Sequence, residues 1–189
     1  MNDRAILVTG SSSGIGKAIV AALLEAGAQV IGVSRTKSTA FSKTTSYTDI
    51  NVDIGDNISL ENELRIVLAD FPRLDGLVCN AGFGKFDNLE NVSSEQIASY
   101  INLNLVSHMI ITRIVIPYFK KNARGDIIFM GSESALEGKK MGSLYSAAKF
   151  GLRGFAQSVR EECRNSNVRV SIVNPGPVSY THLTLPTKA

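Results

Sequence analysis

Tyr145 and Lys149 stand four residues apart near the start of a helical stretch, so both side chains share one face. A free tyrosine, with a pKa of about 10, exchanges protons poorly at neutral pH. A nearby ammonium favours the phenolate and brings it toward the working range, which suits a general acid or base. Alone, the pair reads as surface decoration, since this spacing often arises by chance. A second stretch could hold an anion. Val8-Thr9-Gly10-Ser11-Ser12-Ser13-Gly14-Ile15-Gly16 follows the apolar run Ala5-Ile6-Leu7-Val8 and precedes apolar residues at helical spacing from Ile15 to Ala26. Strand, glycine turn and helix in that order form the phosphate-cradling half of a βαβ unit. Glycine lets the backbone turn tightly and approach a pyrophosphate. The helix start then aims unpaired N–H groups and the positive end of its dipole at that anion.

Holding these groups together requires a framework, and the rest of the chain predicts one. Gln29 to Ser34 reads as a second strand and Ser46 to Val52 as a third. Ser59 is the expected cap of a helix running to Phe71, with Glu61 in its favourable first turn. Gly76 to Cys79 is a fourth strand, and Ser93 with Gln96 forms a capping box opening a helical region to about Asn122. Gly125 to Met130 is a fifth strand, Ser143 to Asn165 a helix, and Val168 to Val173 a sixth strand. Alternation of this kind implies one doubly wound α/β domain, a parallel sheet covered on both faces. Ligands of such sheets sit beyond the carboxyl ends of the strands, where strand order reverses.

Composition excludes several other functions. The chain has 189 residues, 44% hydrophobic and 20% charged, with a formal net charge of +3 and scattered Lys and Arg. That gives a nucleic-acid or membrane-surface role little electrostatic support. No apolar run is expected to span a bilayer, and Met1-Asn2-Asp3-Arg4 lacks a secretory apolar region. Cys79 and Cys163 read as reduced thiols, and the expected compartment is the cytoplasm. The two histidines, His108 and His182, are far apart without an acidic cluster, so no metal site is expected. His108 reads as a packing or interface residue.

The glycine spacing is Thr-Gly-x-x-x-Gly-x-Gly rather than G-x-G-x-x-G. Together with Asn80-Ala81-Gly82, Ser132, Tyr145 and Lys149, it resembles the classical short-chain dehydrogenase/reductase family from Ala5 to Pro177. The resemblance implies a Rossmann-like sheet of order 3-2-1-4-5-6. It implies cofactor contacts from Thr9, Gly10, Ser11, Ser13, Gly14, Ile15 and Gly16, with Asp53 and Ile54 by the adenine. Asn80-Ala81-Gly82 matches a family signature in which Cys79 replaces an asparagine, and Pro175-Gly176 matches the turn beside the nicotinamide. Ser132, thirteen positions before Tyr145, would hydrogen-bond the substrate carbonyl; Ser134 is the rival hydroxyl. Asn104, thirteen positions before Pro117, would hold a kinked helix and a water linked to Lys149, with Asn102 as the alternative. Tyr145 would exchange the proton, and Lys149 would hold the nicotinamide ribose.

The implied activity is hydride transfer between a nicotinamide cofactor and a carbonyl or secondary alcohol. After the second strand stand Ser34, Arg35, Thr36 and Lys37, where an NAD site carries an acidic residue. A hydroxyl followed by a guanidinium suits a 2′-phosphate, so NADP(H) is expected over NAD(H). The rivals are a non-catalytic nucleotide-binding or sensing protein on the same fold, or an inactive fragment of a reductase. Gly138-Lys139-Lys140-Met141-Gly142 reads either as a site for an anionic substrate or as a solvated loop. The family implies a homodimer or homotetramer packed through the helices around Asn104 and Tyr145.

The carboxyl-terminal stretch departs from the pattern. Tyr180 stands where the family has a threonine contacting the carboxamide, and too few residues follow Pro177 for a further helix and seventh strand. Val178 to Thr187 resembles a translated sequencing-library adapter. The expectation is an incomplete dinucleotide-binding domain over residues 1–177 with an artefactual tail over 178–189.

Overall fold

The computed structural model describes residues 1–176; the expectations on Pro177, Tyr180, His182 and the tail lie outside the described residues. Six parallel strands form one sheet in the order β3-β2-β1-β4-β5-β6. They are β1 (Ala5–Thr9), β2 (Gln29–Ser34), β3 (Tyr47–Asn51), β4 (Leu74–Cys79), β5 (Gly125–Met130) and β6 (Val168–Val173). The helices are α1 (Gly14–Glu25), α2 (Asn57–Asp70), α3 (Ser94–Ile101), α4 (Ser107–Lys121) and α5 (Ser143–Glu162).

Each strand sends alternate side chains to opposite faces. Leu7, Ile31, Leu77, Ile127 and Phe129 pack with residues of α2, α4 and α5 in one cluster. Ile6, Val8, Val30 and Val78 pack against Val20 of α1 on the other face. Central β1 and β4 are buried along their whole length, as the continuous apolar runs require. β6 alternates buried and exposed residues over Val168–Ser171, because α1 leaves that side of the sheet uncovered.

Three sequence expectations need correction. Asp56, not Ser59, caps α2: its carboxylate accepts from the Ile58 and Ser59 amides at 3.2 Å each, and the Ser59 hydroxyl donates to it at 2.7 Å. The cap and the helix start therefore lie three residues earlier, the helix beginning at Asn57. α5 ends at Glu162, three residues before Asn165. Continuous helix from Ser94 to Lys121 is also long and apolar enough to cross a membrane by length and composition alone. Its apolar face, Ile111, Val115 and Phe119, lies in the core against the sheet, which accounts for that composition. The Ser93–Gln96 capping box is present with both reciprocal bonds.

Candidate active site

The carboxyl ends of the strands open into one cleft of about 730 Å³. At its floor is the glycine turn between β1 and α1. Gly10 sits at φ +68°, and a Cβ there would fall 2.9 Å from the Ala81 Cα. Gly10, Ser12, Ser13, Gly14 and Ile15 line the cleft. The Ser13 side chain makes no capping bond to the start of α1, so the first-turn amides are left for an anion.

Thr9, Ser11 and Gly16 lie behind that wall rather than on it. The Thr9 hydroxyl donates to the Val78 carbonyl at 3.3 Å and accepts from the Asn80 and Ala81 amides at 3.0 Å, clamping β1 to the end of β4. Ser11 is fully buried and accepts from the Tyr47 hydroxyl at 3.4 Å. A Cβ on Gly16 would stand 2.1 Å from the Gly10 carbonyl oxygen, so this glycine lets α1 pack against its own turn. Ser12, on the wall, carries no signal beyond its place in the motif.

Asn80, Ala81 and Gly82 line the cleft, and three groups fix them from behind. Asn80 donates to the Thr9 carbonyl at 3.0 Å. Asn104 is fully buried; it accepts from the Phe83 amide at 3.1 Å and donates to the Tyr100 carbonyl at 3.0 Å. Taking that carbonyl from the helical ladder accompanies a π turn over Asn102–Val106 between α3 and α4. Asn104 is thus a scaffold residue behind the wall. Asn102 serves elsewhere, donating to the Gly55 carbonyl at 2.7 Å and accepting from Asn57 at 2.9 Å.

The third group is His108, expected from the sequence as a packing or interface residue. Its Nε2 lies 2.8 Å from the Ala81 carbonyl and donates to it, while Nδ1 is buried without a partner. Burial, with the positive charge of Lys149 adding to it, pulls the imidazole pKa from 6.5 down to about 4. A base held neutral in the fold loses stability as pH falls from 6.5 through 4, where the unfolded chain binds the extra proton. At about 1.4 kcal/mol per pKa unit, this group's share of acid destabilisation is roughly 3 kcal/mol. Urea unfolding from pH 7 to pH 4 should therefore show a shallower decline for His108→Gln than for the wild type. Equal slopes would refute the assignment.

At the other end of the cleft stand Ser132, Tyr145 and Lys149, all on its wall. Ser132 follows β5; its amide donates to Asn174 Oδ1 at 3.2 Å, and its hydroxyl accepts from the Ser134 amide at 3.2 Å. Ser134 also lines the cleft, but its own residue is buried beneath Ser132. Lys149 Nζ lies 5.8 Å from the centre of the Tyr145 ring and donates to the Met130 carbonyl at 2.8 Å. Burial lowers its pKa from 10.5 to about 8, which keeps it cationic at neutral pH. Pro175 and Gly176 complete this wall. Cys79 lies buried behind it, its thiol pushed up to about 12 by burial and therefore inert.

Ser34, Arg35, Thr36, Asp53 and Ile54, from the loops after β2 and β3, also line the cleft. The Ser34 hydroxyl donates to the Thr36 carbonyl at 2.7 Å, which shapes the turn after β2. Asp53 accepts from the Gly55 amide at 2.9 Å. A second cavity of about 290 Å³ adjoins here, bounded by Ser12, Ser13, Lys17, Thr36, Lys37 and Ser38. Lys17 and Ser38 gave no signal in the sequence, because α1 and the loop after β2 meet only in the fold.

A phosphate-bearing dinucleotide fits these residues. The glycine turn is held where a Cβ would collide with Ala81, its residues line the cleft without a side-chain cap on α1, and the cleft volume lies within the range of ligand sites, about 300–1,000 Å³. The family model for short chain dehydrogenase matches residues 4–189. The chain is 32% identical to a 3-ketodihydrosphingosine reductase of Bacteroides thetaiotaomicron over 93% of its own length, and spans 64% of that protein. It is 34% identical to the 3-oxoacyl-acyl-carrier-protein reductase FabG of Escherichia coli, over 90% of this chain and 71% of that one. A metagenomic short-chain oxidoreductase solved with NADP superposes with a TM-score of 0.87 at 31% identity, over 94% of this chain and 84% of that one. A short-chain dehydrogenase from Leptospira borgpetersenii with bound NAD+ shares the fold, with a TM-score of 0.88 at 22% identity, over 95% of this chain and 73% of that one. This chain belongs to the short-chain dehydrogenase family.

Proposed function

We propose that this protein is an NADP(H)-dependent oxidoreductase acting on a carbonyl or secondary alcohol, with Tyr145 as the general acid or base. The reading rests on the meeting of Ser132, Tyr145 and Lys149 at one end of a cleft whose other end is a phosphate-cradling turn. Gly10, Ser13, Gly14 and Ile15 would hold the phosphates, and Asp53 and Ile54 the adenine. Lys149, Asn80 and the Pro175-Gly176 turn would hold the nicotinamide half. When bound, the reduced cofactor supplies the hydride. Ser132 donates a hydrogen bond to the substrate carbonyl, and Tyr145 Oη delivers the proton to the same oxygen. Lys149 keeps a positive charge beside Tyr145, with Met130 fixing the ammonium. The substrate is a small molecule, and the compartment is the cytoplasm.

NADP preference is supported by Arg35 and by the cationic cavity that Lys17 and Lys37 line next to it. A charge-assisted bond to the 2′-phosphate contributes about 1.5–3 kcal/mol. Arg35→Asp should therefore shift the NADPH-to-NADH ratio of kcat/KM toward NADH by about 10- to 100-fold. An unchanged ratio would remove Arg35 from phosphate recognition. The deciding experiment for the whole reading couples NADPH fluorescence-quenching titration to an assay of NADPH oxidation with a ketone panel. Binding with turnover supports the reductase; binding without turnover supports a nucleotide sensor.

A further inference from the structure

The loop after β4 carries a feature that hydride transfer alone does not use. Phe86 is an exposed aromatic side chain on the cleft wall, 54% accessible. Its ring packs edge-on against Tyr145, with centroids 5.6 Å apart and planes at 61°. A Cβ on Gly84 would press on the Phe86 ring at 3.2 Å, and one on Gly142 would touch it at 3.5 Å. Two glycines and the Tyr145 ring thus frame Phe86 and leave the rest of its surface open to the cleft.

The loop itself is tied at both ends. The Asp87 amide donates to the Met141 carbonyl at 2.8 Å, joining it to the loop before α5. The Tyr100 hydroxyl accepts from the Lys85 amide at 3.2 Å and donates to the Phe83 carbonyl at 2.8 Å. Phe86 is therefore held in place before any substrate arrives, and ordering it costs little on binding. Lys139 Nζ lies 3.8 Å from Glu133 Oε2, so an anionic substrate gains little from Lys139.

We propose that Phe86 is a specificity-determining residue that selects uncharged substrates bearing a flat aryl group beside the carbonyl. An aryl ring adjoining a carbonyl held at Tyr145 would have the Phe86 ring, which contacts that of Tyr145, as its neighbour, and aromatic pairs attract at centroid distances of about 4.5–7 Å. Short aliphatic ketones have no such surface to offer. The proposal rests on the hydride-transfer reading for its assay, but not for its binding measurement.

The test compares acetophenone with acetone as NADPH-dependent substrates of the wild type, Phe86→Ala, Phe86→Leu and Phe86→Tyr. The expected result is that the acetophenone-to-acetone ratio of kcat/KM falls about tenfold in Phe86→Ala and Phe86→Leu, mainly through KM, and returns in Phe86→Tyr. A ratio unchanged in Phe86→Ala, or fully kept by Phe86→Leu, overturns the proposal, since the ring would then not be what selects. Saturation-transfer NMR of acetophenone with the NADPH complex provides a readout free of turnover. If the wild type reduces neither ketone, the binding measurement alone decides the aryl slot, and the hydride-transfer reading is judged on the wider ketone panel. Transfer to the acetophenone ring in the wild type and Phe86→Tyr, lost in Phe86→Ala, would still sustain the aryl slot. No transfer in the wild type would overturn it.

Discussion

Tyr145→Phe should reduce NADPH-dependent carbonyl reduction by about 10²–10⁴-fold, the share that a positioned proton donor contributes. Only the hydroxyl oxygen is removed. The ring keeps its edge contact with Phe86, and Lys149 keeps its bond to the Met130 carbonyl. The glycine turn and the Arg35 end of the cleft are unaffected, so quenching titration should return wild-type NADPH binding. Steady-state assay beside that titration separates the two roles. Full turnover in the variant would mean that another group passes the proton, and the Ser134 hydroxyl would be examined next.

Asp75→Ala should have the largest effect on stability, a loss of about 3 kcal/mol. Asp75 is the second residue of β4, at the amino ends of the strands, opposite the cleft. Its Oδ2 lies 2.8 Å from Arg4 Nε and 2.7 Å from Arg124 Nε, and its Oδ1 accepts from the Ala5 amide at 3.2 Å. Arg4 also reaches Asp126 at 2.8 Å, and Asp126 holds Arg169 through two hydrogen bonds. The network joins β1, β4, β5 and β6 at their amino ends. Removing its most buried carboxylate strands the Ala5 amide and unbalances two guanidinium groups, whereas an exposed pair such as Arg65–Glu61 contributes about 0–1 kcal/mol. For a domain of this size, thermal unfolding should move down by roughly 6–12 °C. Asp75→Asn, which keeps the acceptor for Ala5, should lose less. A midpoint unchanged in Asp75→Ala would show the network to be ornamental.

The acidic network explains a boundary as well as a stability. The fourth strand was legible only from Gly76, because Asp75 looks out of place in a buried strand; its three partners, from Arg4, Ala5 and Arg124, make it acceptable there. The cap of α2 was misread for a related reason. Asp56 and Ser59 are both good capping residues, and the sequence gives no means of ranking them until their mutual bond is seen.

What the sequence determined by itself is whatever depends on spacing along the chain. The strand–glycine–helix turn, the Ser93–Gln96 box, the Tyr145–Lys149 pair on one helical face and the strand alternation all follow from periods of two or 3.6 residues. Tertiary structure alone decided which members of those motifs face the cleft and which stand behind it. Thr9 and Asn104 belong to the motif but serve as clamps, because the groups they hold, at Asn80, Ala81 and Phe83, arrive from other elements. His108 beneath Ala81, Lys17 beside Lys37, and Phe86 against Tyr145 are pairings between distant parts of the chain. No local period encodes such meetings; they exist only once the sheet has set the order in which its loops lie side by side.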